Sequence, residues 1–242
     1  MSRLRQAEFA AAVVGCVLVV AALSIIWGAR ITVPRELYVS ELGAAGEPTA
    51  KWFQAALLFI VFGGSSIAWA GRNVRSSVRV LAAWTPAISL WIACGFFLVA
   101  SQVTCTSGCP LPYGDSFTWQ DFSHTSTAVL AFAAACWAML QTSFADGHRA
   151  LALLSRASGA LVAVIAGTGG LFSLFRFEVV LGSRLEFIAT TLAIGWLVVF
   201  GAVLALRSAR ALPLNVDAPR VALAQQLEQQ QLAPQEAKQP IG

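Results

Sequence analysis

The chain has 242 residues, of which 57% are hydrophobic and 12% charged, and its mean hydropathy is +0.71. Soluble domains carry about 25% charged residues, so this composition argues against a water-solvated globule and for a chain whose outer surface meets lipid. The net charge of +4 comes without any run of Lys or Arg, which speaks against a nucleic-acid partner.

The first apolar run, Phe9 to Ala29, follows the short basic start of Arg3 and Arg5. It is longer than the roughly 7–15 apolar residues of a signal peptide, so it reads as a retained membrane helix. Further runs follow at about Trp52–Ala70, Val80–Val103 (with Pro86 inside it), Phe122–Phe144, Ser158–Phe175 and Glu186–Leu206. A crossing helix needs roughly 20 apolar residues, whereas a barrel strand alternates over about 10. The expected fold is therefore all-α, a polytopic bundle of six transmembrane helices over residues 1–207. The stretch 208–242 is polar and rich in Gln and Pro, and composition marks it as a disordered tail.

Charge sets the threading. Arg72, Arg75, Arg79, Arg149, Arg156, Arg207 and Arg210 fall on the same side as Arg3 and Arg5. Most acids, including Glu36, Glu41, Glu47, Asp115, Asp121, Glu178 and Glu186, fall on the other. Basic residues in short loops stay in the cytoplasm, so both termini are expected there, with the protein in the plasma membrane of a bacterium (its inner membrane). The longer loops, Arg30–Lys51 and Thr104–Asp121, lie outside; long connections tend to carry function.

Small residues in the runs, such as Gly63, Gly64, Ser65 and Ser66 in the second and Gly159, Ala163 and Gly167 in the fifth, suit close helix packing in lipid. Gly167–Gly170 has a second reading, as a place where a lipid or ligand approaches the backbone. Of five cysteines, Cys16, Cys94 and Cys136 lie inside apolar runs and read as small hydrophobes. Cys105 and Cys109 share an outer loop and read first as a disulfide. Free thiols and a metal site are the alternatives, the latter weakened because two thiolates need further ligands.

Asp121 and His124, spaced three apart at the start of the fourth helix, share a face. They read either as a carboxylate-oriented imidazole that moves protons or as a capping Asp beside an interfacial His. Glu41, Arg176, Glu178 and Glu186 reach the same side of the membrane. Zinc hydrolase chemistry built on several His is disfavoured, because only His124 and His148 exist and they belong to opposite faces. No metal and no cofactor is expected, and no GxSxG, HExxH, Walker or dinucleotide fingerprint occurs. Helix centres almost free of ionisable residues argue against an ion-coupled pump.

The run Ser40-Glu41-Leu42-Gly43, together with Cys105-Thr106-Ser107-Gly108-Cys109-Pro110 and Asp121-Phe122-Ser123-His124, resembles the bacterial "domain of unknown function 998" family over roughly Phe9–Leu206. The resemblance implies a six-helix bundle without an assigned activity. It also implies that Glu41, Asp121 and His124 form a shared polar signature. The convergence of these polar groups on one face of an apolar bundle gives the leading expectation, a membrane enzyme acting on a lipid-like or isoprenoid-like small molecule near the outer leaflet. Glu41, Asp121 and His124 would be catalytic, and Arg176, Glu178 and Glu186 would bind substrate. A non-catalytic lipid-binding, accessory or facilitator protein is the alternative; the bilayer is the one partner expected in either case, and protein partners stay open.

Overall fold

A computed structural model describes residues 2–107, 109–110, 115, 117–147, 149–175 and 178–210. The described residues hold six long helices and two short 3-10 turns, and no strand: α1 (Ser2–Thr32), α2 (Ala50–Ala70), α3 (Pro86–Gln102), α4 (Trp119–Thr142), α5 (Arg149–Leu174) and α6 (Val179–Arg210), with 3-10 turns at Ser40–Gly43 and Leu81–Ala83. Five of these helices are long and apolar enough to cross a membrane; α3 is shorter. His148, Arg176 and the tail from 211 onward lie outside the described residues.

Three boundaries differ from those expected, each for a local reason. The third run does not start at Val80. Pro86 has no N–H, and its ring would clash with the preceding turn, so it occupies the first position of α3, where neither matters. Thr85 before it is extended, with ψ 156°, as the residue ahead of a proline prefers. Helix α5 starts at Arg149, well before Ser158. Helix α6 starts at Val179, so Glu186 lies two turns inside the helix and not at its mouth. The ionisable pair Arg184 and Glu186 masked that start, although Val179, Val180 and Leu181 continue the helix readily.

The helices form a closed ring in chain order: each packs on the next, and α6 returns to α1. The α4–α5 seam is the slightest, and α5 is the most exposed helix. Gly15 and Gly63 bring α1 and α2 into backbone contact; a Cβ on Gly63 would stand 2.8 Å from the Gly15 carbonyl oxygen. Gly201 of α6 similarly meets Cys16 of α1. Without a hydrophobic drive between helices in lipid, such close approach supplies the dispersion contacts that hold a bundle. Of the glycines in the fifth run, Gly169 packs against Leu185 and Gly182, whereas nothing stands within 4 Å of a Cβ built on Gly167 or Gly170.

Loops at each end of the ring are tied together. At one end the Ser77 N–H donates to the Phe144 carbonyl at 2.8 Å, and Arg72 pairs with Glu8 at 2.7 Å. Just inside this end Gln141 is wholly buried and fully satisfied. It donates to the carbonyls of Leu81 (3.0 Å) and Trp84 (2.8 Å) and accepts from the Ser89 hydroxyl at 2.7 Å. At the other end the Ala45 N–H donates to the Cys105 carbonyl at 2.9 Å. The first end gathers Arg72, Arg75, Arg79, Arg149 and Arg207; the second gathers Glu36, Glu41, Glu47 and Glu178.

Candidate functional site

A cavity of about 90 Å³ lies inside the ring. Its walls are apolar: Phe53 and Leu57 from α2, Phe97 from α3, Phe132 from α4, and Ile194 and Leu197 from α6. The polar side chains along it are Ser40, His124, Glu186 and Thr190, with His124 and Ser40 at the Glu-rich end of the ring. Helix α5 contributes nothing to the lining.

His124 is 5% exposed. Its Nδ1 stands 2.6 Å from the carbonyl oxygen of Val103. A carbonyl can only accept, so Nδ1–H is the donor in this bond, and the contact ties the end of α3 to the start of α4. A second, smaller cavity between α2, α3 and α4 also touches His124.

Asp121 does not line either cavity. Its carboxylate accepts from the Thr106 N–H (2.7 Å), the Thr106 hydroxyl (2.9 Å) and the Thr118 hydroxyl. The Asp121 N–H in turn donates to Thr118 Oγ1 at 2.9 Å. This is a reciprocal N-terminal cap that also pins the Thr104–Cys109 loop to α4. Gln120 adds a bond to the Thr104 carbonyl at 2.7 Å.

Two carboxylates hold the loop between α1 and α2. Glu41 Oε2 accepts from the Tyr38 N–H at 2.7 Å. Glu186 Oε2 accepts from the Val39 N–H at 3.0 Å, and the Ser40 N–H also donates to that carboxylate. Three successive backbone donors leading into a 3-10 turn, the last of them its first residue, thus meet two acids from distant parts of the chain. Burial pushes the Glu41 carboxyl above its ordinary 4.5, against the Tyr38 N–H and Arg35, which favour the charged form. Beside it, Tyr38 lays its ring on Gly182, where a Cβ would stand 2.8 Å from the Tyr38 hydroxyl. On the rim, hydrogen bonding from Arg184, with Arg30 adding to it, holds the Glu36 carboxyl below the usual range.

The expected trio is thus divided. His124 faces the cavity, Asp121 caps a helix beside it, and Glu41 holds a loop behind it. Glu186, read from sequence as a substrate contact at the mouth, is the carboxylate that shares the cavity with His124. Glu178 is exposed at the start of α6, in the left-handed region with φ 49°, away from the cavity lining. Arg176 is not among the described residues. Thr190 is not singled out by the sequence, and Ser40 only as the first residue of the Ser40–Gly43 motif; Thr190 lies four residues after Glu186, one helical turn along the same face, and that spacing is the available signal. Cys105 and Cys109 are joined in a disulfide.

No curated protein and no solved structure matches this chain. One family model does, described as a protein of unknown function, over residues 9–203. That span runs from the second turn of α1 to near the end of α6 and takes in the cavity and the loops that close it, so the chain belongs to the DUF998 family of proteins of unknown function.

Proposed function

We propose that this chain is a six-span membrane protein with both termini in the cytoplasm, whose central cavity takes the apolar end of a lipid-like or isoprenoid-like molecule and presents its polar group to His124 and Glu186. The single observation that carries this reading is that these two ionisable side chains line one apolar cavity. Ionisable groups held inside a membrane bundle are costly and tend to be functional. An imidazole and a carboxyl group that line one cavity can serve as an acid/base pair, fit to take a proton from a hydroxyl or to give one to a leaving oxygen. Asp121 and Glu41 act as positioning residues, holding the α4 start and the first outer loop against the site.

Volume limits the substrate. A cavity of roughly 150 Å³ admits benzene, so about 90 Å³ holds the tip of a chain and not a whole lipid. The remainder would lie between helices, whose slightest seam is that of α4 with α5. Of the six spans, α3 supports the count least: 17 residues at 1.5 Å rise reach about 26 Å, against a hydrocarbon core of about 30 Å. The turn at Leu81–Ala83 continues it toward the Arg-rich end.

A specific observation favours the second reading, a non-catalytic lipid-binding or accessory protein: the Glu186 carboxylate is already engaged by the backbone of the first outer loop. One experiment separates the readings. The protein is purified in lipid nanodiscs and its bound lipids identified by mass spectrometry. Filling the cavity with Ala193→Trp removes the bound species; if that variant keeps it, the cavity reading falls. Product formed from that species in membrane vesicles is then followed in His124→Ala and Glu186→Gln. Loss of product with binding kept supports acid/base catalysis, and full binding with no product even in the unaltered protein supports the accessory role.

A further inference from the structure

Cys105 and Cys109, which the proposed cavity chemistry does not use, form a cluster with His124. The two sulfurs and a ring nitrogen of His124 all lie within 4.8 Å of one another, the one group of three such donors among the described residues. Cys105 is 1% exposed and His124 5%. The Nδ1 contact of His124 with the Val103 carbonyl is the outer bond that metal-binding imidazoles ordinarily make, because it fixes the tautomer and the ring orientation. The Ser40 carbonyl oxygen stands 3.8 Å from Cys105 Sγ, and the Asp121 carboxylate is fixed to Thr106, one residue on from Cys105. Three residues separate the cysteines, within the two to four usual between paired zinc thiolates, and the Cys109 N–H closes the turn on Thr106 at 2.9 Å.

We propose that Cys105, Cys109 and His124 form a redox-gated zinc site: in the oxidised protein the disulfide closes it, and in the reduced protein the two thiolates and the imidazole bind one Zn²⁺. The step balances. A dithiol reductant gives two electrons and two protons to the S–S bond, leaving two thiols and becoming a disulfide itself; the zinc ion then displaces both thiol protons. Donors bound to one ion at about 2.3 Å for sulfur and about 2.0 Å for nitrogen stand roughly 3.5–3.8 Å apart, so once the S–S bond is reduced the two sulfurs separate to that spacing, and the nitrogen, within 4.8 Å of them, is already near its place. Two sulfurs and one nitrogen leave the fourth position of a tetrahedral ion open, the arrangement of a catalytic zinc and not of a closed structural one. The inference shares His124 with the lipid reading but rests on the loop cluster and not on what occupies the cavity, so zinc retention and lipid binding are read separately.

The full chain in nanodiscs tests it. Protein reduced anaerobically with a phosphine is given Zn²⁺, desalted, and its metal content measured; a parallel sample takes Co²⁺ and is read for thiolate-to-cobalt charge-transfer absorption. Reduced protein is expected to retain about one zinc per chain and to show the band; oxidised protein retains none. His124→Gln weakens retention by about tenfold or more, and Cys105→Ser/Cys109→Ser abolishes retention and band together. Should His124→Gln fail to stay monodisperse, Cys109→Ser decides, because it breaks the disulfide as reduction does yet removes one thiolate. The proposal is overturned if reduced protein holds no zinc, if oxidised protein holds as much, or if the serine variants bind undiminished.

Discussion

At the scale of single residues, the site is held by acids whose main partners are backbone donors. Glu41 is the case whose chemistry can be measured. Burial raises its carboxyl in the folded protein above the 4.5 of the unfolded chain. Between the two values the folded state binds the proton more tightly, so stability falls as pH rises through the folded value. The contribution is fully present below about 4.5 and is lost above the folded value. Glu41→Gln keeps an acceptor for the Tyr38 N–H and removes the titration. Thermal unfolding in detergent across pH 4 to 8 is expected to show the unaltered protein losing stability relative to the variant as pH rises. A constant difference between the two across that range would mean that Glu41 is not buried as described. This role was only half legible in the sequence. Ser40-Glu41-Leu42-Gly43 stood out as a motif, but the partner acid Glu186 bonds a residue 147 positions away, and no local pattern carries that pairing. Asp121 was more readable, because an acid three residues after Thr118 at the start of an apolar run is the sequence form of a cap.

At the scale of elements, helix existence was read well and helix boundaries less so. Long apolar runs are forced into helices because lipid offers no partner to an unpaired backbone group. Arg149 and Glu186 show where that reading slipped in one direction, because the helices continue through ionisable residues beyond the apolar run, and Pro86 shows it slipping in the other, because a proline starts α3 inside one. Packing was less legible still. Gly63 and Gly167 look alike in the sequence, but one meets the Gly15 backbone and the other meets nothing within 4 Å. Opposite signs follow. Gly63→Ala forces α1 and α2 apart and is expected to destabilise by about 1–3 kcal/mol, the range for overpacking a tight contact. Gly167→Ala adds a methyl in open space and removes a glycine from a helix interior, worth up to about 1 kcal/mol in favour of the variant. Thermal midpoints of the two variants in one detergent check this; movement in the same direction would contradict the α1–α2 crossing.

At the scale of the whole molecule, the ring and the charge pattern make one claim together. Neighbouring helices alternate in direction, so the connections after α2 and α4 share an end, as the Ser77–Phe144 bond requires, and those after α1 and α3 share the other, as the Ala45–Cys105 bond requires. The Arg-rich end carries Arg72, Arg75, Arg79, Arg149 and Arg207, and lysine or arginine in short loops resists translocation. That end is expected in the cytoplasm, and both chain termini with it. Exposed positions at either end allow the check: Arg75→Cys and Pro48→Cys each add one thiol in water, while Cys16, Cys94 and Cys136 sit half-buried or buried among helices. In intact cells a membrane-impermeant maleimide is expected to label Pro48→Cys and to spare Arg75→Cys until the membrane is opened. The reverse pattern would turn the bundle over. The disulfide loop, His124 and the mouth of the cavity would then face the reducing cytoplasm, where the Cys105–Cys109 pair would stand as thiols and the zinc site would be open without any gate.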